Sequence, residues 1–201
     1  MQPFSKLVST AAPLDAANID TDKIIPARFL RKPRAPGYGR WLFHDERFDA
    51  DGGEKPDFVL NRTPYRDAKI LVTGRNFGCG SSREQAVYVL WDYGIRAVIA
   101  PSFGEIHYGN ELQNGMLPVV LPEGVCRQLR EQLYASPGAQ ITVDLETQAV
   151  TAPDGATHHF EIGASYKERL LKGLDDIGLV MQNLQEIEAC EQRLRDEMPW
   201  V

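Results

Sequence analysis

The sequence has little of what several large functional classes require. No apolar run approaches the ~18 residues needed to span a bilayer. The opening stretch, MQPFSKLVSTAAPL, lacks the basic and continuous apolar segments of a secretory signal, so a cytoplasmic protein without membrane attachment is expected. Basic residues are outnumbered, 22 Lys+Arg against 28 Asp+Glu, for a formal net charge of −6. Such a chain repels a phosphate backbone on average, and nucleic acid is not an expected partner. Cysteines number three, Cys79, Cys126 and Cys190, widely spaced and without a CxxC. They make no disulfide framework, and no metal or cluster motif accompanies them. Their ordinary reading is as packed or incidental thiols. What is present, 201 residues of which 43% are hydrophobic and 25% charged, describes a folded globular chain long enough for one domain with its own core.

Periodicity outlines the elements. Residues 4–9 read as a strand, followed by a turn-rich stretch around Asn18–Asp22. Residues 28–40 (RFLRKPRAPGYGR) carry five positive charges and no negative one; this Pro/Gly-rich stretch is expected to be a mobile loop that meets an anion. Residues 69–73 (KILVT) are a short β-branched run typical of a buried strand. Residues 82–93 place Ala86, Val89, Leu90 and Tyr93 at helical spacing, with Gly94 as the stop. Strands at 97–100 and 117–121 alternate with helices at 104–114 and 123–135, which predicts a parallel α/β arrangement. The period then changes to two over 141–160, a β-meander, and helices at 165–172 and 184–197 finish the chain. One α/β domain over 1–201 is the simplest account.

Chemistry concentrates in residues 74–84 (GRNFGCGSSRE). The segment follows a strand and opens a helix, where unpaired backbone N–H groups and the helix dipole attract anions. Gly74, Gly78 and Gly80 let the backbone approach a ligand, with Cys79 part of the same supporting loop, and Ser81, Ser82 and Arg83 add two hydroxyls and a guanidinium suited to a carboxylate. A dinucleotide fingerprint would need glycine where Arg83 stands; the P-loop's G-K-[ST] and the nucleophile elbow's G-x-S-x-G are absent. Ser81–Glu84 and Ser102–Glu105 also match the S-x-x-E capping box, which would explain one serine by helix stability alone. Asp20, Thr21 and Asp22 read either as an Asx-type turn or as polar partners of the serine or arginine. His44, His107, His158 and His159 have no metal spacing and read as surface or core residues.

At these positions the chain resembles a known family. Residues 18–30 (NIDTDKIIPARFL) and 76–84 (NFGCGSSRE) resemble the N-terminal motif and active-site loop of the small subunits of 3-isopropylmalate dehydratase. Residues 99–103, 108–110 and 175–179 are similar to the family's later motifs, so the likeness runs over nearly the whole chain. It implies the swivelling β/β/α domain of the aconitase C-terminal type and a large-subunit partner carrying a 4Fe-4S cluster. The implied reaction is isomerisation of 2- and 3-isopropylmalate by dehydration and rehydration in leucine biosynthesis. By matching positions, Ser81 would be the catalytic base as an alkoxide and Arg83 a ligand of the substrate carboxylate. Ser82 would line the same pocket, supported by Asp22 and Thr21. The family commonly has histidine where this chain has Gln85, for which altered surroundings rather than lost activity are expected. A serine hydroxyl is too weak an acid to serve unaided, and the loop offers backbone donors, a helix N-terminus and a cation. Withdrawing the leaving hydroxyl needs a Lewis acid; with no cluster motif here, the metal is expected on the partner. A related citramalate/citraconate or homoaconitate hydro-lyase, and a non-catalytic carboxylate-binding module, remain alternatives at this stage.

Overall fold

The structure, a computed structural model, describes residues 1–80, 82–198 and 200. Its organising element is β1 (Lys6–Leu14), which changes neighbour midway. Residues 6–10 pair antiparallel with β5 (Gln140–Asp144), and residues 11–14 pair parallel with β2 (Ile70–Thr73). With β3 (Ala97–Ala100), β4 (Leu117–Val120), β6 (Ala149–Thr151) and β7 (Thr157–His159), the order is β4-β3-β2-β1-β5-β6-β7. One half of the sheet is therefore parallel and the other an antiparallel meander. The strand expected at 4–9 is shifted and longer. Ala11, Ala12 and Pro13 carry weak β propensity, and it is pairing with β2 that holds them extended. Pro118 is accommodated because β4 lies at the sheet edge.

Alternation along the parallel strands divides the core into two layers. Ala12, Leu71 and Val98 face one layer with Ala86, Val87, Val89 and Leu90 of α3 (Glu84–Tyr93). That layer is completed by an irregular segment containing the one-turn helices α1 (Thr21–Ile24) and α2 (His44–Arg47) and several 3-10 turns. Ile70, Val72, Ala97 and Ile99 face the other layer, against Leu112 of α4 (Glu105–Gln113) and Cys126, Leu129 and Leu133 of α5 (Glu123–Ala135). Leu170 of α6 (Ala164–Lys172) joins this layer. The strand–helix–strand rhythm read between residues 69 and 135 is thus present. At the C-terminus α8 (Leu184–Glu197) forms as expected, and a further helix that local pattern did not announce, α7 (Asp176–Met181), precedes it. Neither has a buried residue.

Candidate active site

Residues 74–80 leave the C-terminal end of β2, and two other chain segments hold them in place. The Gly78 N–H donates to the Ile19 carbonyl at 2.7 Å and the Thr21 N–H donates to the Cys79 carbonyl at 3.0 Å. From the other side, the Phe77 N–H donates to Ser102 and the Gly104 N–H donates to Phe77, at 3.0 and 2.8 Å. Asn76 Nδ2 donates to Asn18 Oδ1 at 2.9 Å. Gly78 and Gly80 take φ of +70° and +92°, the left-handed region in which a side chain is strained.

The two helix starts differ from those that the S-x-x-E patterns suggested. The helix α3 begins at Glu84, flanked by Arg83 in an extended conformation (φ −139°, ψ 107°) with no side-chain cap. The helix α4 begins at Glu105 after Gly104, also without a side-chain cap. Ser102 Oγ instead accepts from the Asn76 N–H at 2.9 Å, so this serine braces the loop. Arg83 consequently sits one residue before the helix rather than in its first turn. Its Nη1 donates to Asp22 Oδ1.

Asp20 and Asp22 divide the two readings of their segment between them. Asp20 Oδ1 accepts from the Lys23 N–H at 2.8 Å and caps α1, the structural role, while Asp22 holds Arg83. Thr21, buried between them, joins Gly78, Cys79, Gly80, Ser82 and Arg83 around a cavity of about 170 Å³. The structure thus brings together Thr21, Asp22, Ser82, Arg83 and the Gly78–Gly80 turn; Ser81 lies outside the described residues. A larger cleft of about 340 Å³, at the other end of the strands, includes Lys6, Lys69 and Arg96. Two of its cations are engaged: Lys6 faces Asp144 at 3.3 Å, and Arg96 donates to the Trp91 and Ile95 carbonyls.

The same cavity is lined by a residue that sequence reasoning set aside. His107, in the first turn of α4, is 3% exposed, and its Nε2 lies 3.0 Å from Oε1 of fully buried Glu111. Burial pushes the Glu111 carboxyl above the ordinary carboxylate range, and the His107 contact opposes that shift. The available signal was the i,i+4 spacing His107…Glu111, which puts both side chains on one helix face.

The basic stretch 28–40 contributes no lining residue to this cavity. Arg28 is paired with Asp45, whose carboxyl the guanidinium holds down at about 2. Arg34 makes a two-point contact with Asp92 at 2.8 Å and lies over the Tyr88 ring. Among the described residues, no group of three or more His, Cys, Asp or Glu side chains could hold a metal ion, and no helix is long and apolar enough to cross a membrane.

The chain matches the family model described as the aconitase C-terminal domain over residues 1–124, and a second model, LeuD_N, over residues 127–164. A relative from Dinoroseobacter shibae, named 3-isopropylmalate dehydratase small subunit, is 50% identical over 201 residues and covers all of both chains. One of the same name from Parvibaculum lavamentivorans is 49% identical over the same full lengths. A solved 3-isopropylmalate dehydratase structure from Methanocaldococcus jannaschii superimposes with a TM-score of 0.65 at 25% identity, covering 92% of this chain and 99% of that one.

Proposed function

Since the chain belongs to the 3-isopropylmalate dehydratase small-subunit family, within the aconitase C-terminal-domain fold, we propose that it is the small subunit of that hydro-lyase. In this role it works with a large subunit to interconvert 2- and 3-isopropylmalate in the cytoplasm. The observation that carries the reading is the convergence of Arg83, Ser82 and the Gly78–Gly80 turn on one cavity.

Each group has a physical task there. The Arg83 guanidinium is largely enclosed, 18% exposed at the side chain, so its attraction for a carboxylate is screened less than a surface arginine's would be. Asp22 holds it from one edge, which fixes its direction and leaves the other N–H groups of the fork for a substrate carboxylate. The turn and the N-terminus of α3 supply backbone N–H groups and a positive partial charge for anionic oxygens. We assign the proton-abstracting role to Ser81, the residue after the turn, whose deprotonated form these donors would stabilise. The basic stretch 28–40 is assigned to substrate contact in the complex; here Arg28 and Arg34 are engaged by Asp45 and Asp92.

The iron–sulfur cluster implied by the family does not fit this chain. No ligand set exists among the described residues, and burial pushes the Cys126 thiol up to about 12, whereas cluster binding needs thiolate. We therefore assign the cluster to the large subunit. Co-expression with a cluster-bearing large chain, followed by anaerobic assay with 2-isopropylmalate, tests the whole reading. Turnover is expected only from the complex, and Ser81→Ala is expected to abolish it while the two chains still assemble. Turnover by this chain alone, or a near-normal rate in the Ser81→Ala complex, would overturn the assignment.

A further inference from the structure

The Gly78–Gly80 turn has few side-chain atoms with which to stiffen itself, yet the residues it presents must be held closely for proton transfer. Backbone hydrogen bonds tie Gly78 to Ile19 and Cys79 to Thr21 on one side of the turn. On the side of Gly78 where a Cβ would point stands the His107 side chain. A Cβ placed on Gly78 would overlap Cγ and Cδ2 of the His107 ring and come within 2.6 Å of its Cβ. The ring therefore lies flush against the backbone of the turn. Phe77 packs edge-on against it, with centroids 5.4 Å apart and planes at 67°. Glu111 Oε1, one helical turn further on, lies 3.0 Å from its Nε2 and packs beside the ring. Neither ring nitrogen and neither Glu111 oxygen makes a hydrogen bond of good geometry among the described residues. A buried carboxylate and imidazole are costly to assemble merely to fill space, and this pair borders the cavity that also holds Arg83.

We propose that His107, held by Glu111, is a positioning residue for the reaction: its ring is a wedge that sets the depth of the Gly78–Gly80 turn against the cavity. The proposal rests on the reading of residues 78–83 as the active-site loop. It assigns His107 no contact with substrate and no proton transfer, in keeping with the burial of both ring nitrogens. Displacement of reacting groups by ~1 Å can cost ~100-fold in rate, so loss of the wedge falls on turnover rather than on substrate affinity, which Arg83 and Asp22 carry.

The test uses the assembled two-chain enzyme with 2-isopropylmalate, reading kcat, KM and Tm for each variant. His107→Ala is expected to lower kcat by ~10-fold or more, on the displacement argument, with KM within about threefold of wild type. His107→Phe combined with Glu111→Leu returns a flat ring and fills the carboxylate's space, and is expected to restore kcat to within about threefold on the same ground. A simple packing role would lower Tm and yield but leave the kcat of the assembled enzyme near wild type. The proposal is overturned if His107→Ala keeps kcat within about twofold of wild type, or if the ring-restoring double variant is no faster than His107→Ala. Should the alanine variant fail to assemble, His107→Leu, which fills volume without a flat ring, is judged by the same kcat criterion. Ser81→Ala in the same assay separates the two readings. An active Ser81→Ala removes the assigned base, whereas an inactive Ser81→Ala beside a fully active His107→Ala removes only the wedge.

Discussion

Replacing Gly78 with alanine separates two demands that the turn makes on one position. The backbone at φ +70° costs an L-residue about 1–2 kcal/mol. The added methyl group also overlaps the His107 ring, and because the clash reaches His107 Cβ, rotating the ring does not relieve it. Overpacking of this kind typically costs about 1–3 kcal/mol, so the total is about 2–5 kcal/mol. At Gly80 the backbone demand is the same, φ +92°, but the nearest atom to an added Cβ is that of Asp20 at 3.5 Å. Only the backbone cost of about 1–2 kcal/mol remains there. For a chain of this size each kcal/mol moves Tm by about 2–4 °C. Thermal melts followed by circular dichroism should therefore put Gly78→Ala roughly 2–12 °C below Gly80→Ala over the range of the packing cost. Equal melting temperatures for the two variants would refute the close contact between ring and turn. Adding His107→Ala to Gly78→Ala removes the overlap with the ring and leaves only the close approach to Cβ, so the double variant should lose ~0.5 kcal/mol or more less than the sum of the singles.

Three further outcomes are expected. Arg47 is buried, and its Nε donates to Asn61 Oδ1 at 3.0 Å while its Nη1 donates to the Leu42 carbonyl at 3.3 Å. Arg47→Ala strands both acceptors and should cost about 2–4 kcal/mol in urea unfolding; a loss below ~0.5 kcal/mol would mean that the network contributes nothing. The Asp45 carboxyl, held at about 2 by Arg28, is a depressed acid. Its pairing contributes stability above the ordinary value of 3.8 and loses it as pH falls through about 2. In Arg28→Ala the Asp45 titration followed by NMR should move back toward that ordinary value, and an unmoved midpoint would deny the pairing. Finally, the Cys126 thiol, buried and pushed up to about 12, should resist alkylation near neutral pH, while Cys190, exposed on α8, reacts. Peptide mass spectrometry reads both, and labelling of native Cys126 at the rate of Cys190 would contradict its burial.

Much of the fold was legible wherever local pattern and tertiary environment ask for the same residue types. The run at 69–73 is apolar and β-branched because β2 is buried throughout, and Ala86, Val89 and Leu90 keep helical spacing because α3 covers the sheet. The C-terminal half of β1 was not legible, since Ala11, Ala12 and Pro13 become strand only by pairing with β2, some 60 residues away. The S-x-x-E pattern at Ser102 misled for a related reason. A serine oxygen serves whichever N–H reaches it, and Ser102 meets the Asn76 amide of a distant loop before that of its own helix.

The candidate site divides along the same line. Local sequence dictated the loop itself, because glycines, hydroxyls and an arginine ahead of a helix are what anion binding at a helix start requires. It also contained Asp22 as one of two possible readings. Only the folded chain chose between them, setting Asp20 to cap α1 and Asp22 to hold Arg83 from 61 residues away in sequence. His107 was beyond local reach altogether. A histidine and a glutamate four residues apart lie on one helix face in any such sequence. Their proximity to the cavity exists only because the β2 loop and the start of α4 are bonded together through Phe77 and Gly104. Short-range chemistry can be read from residue types, whereas contacts between distant segments depend on which sheet edge and helix end the fold brings together.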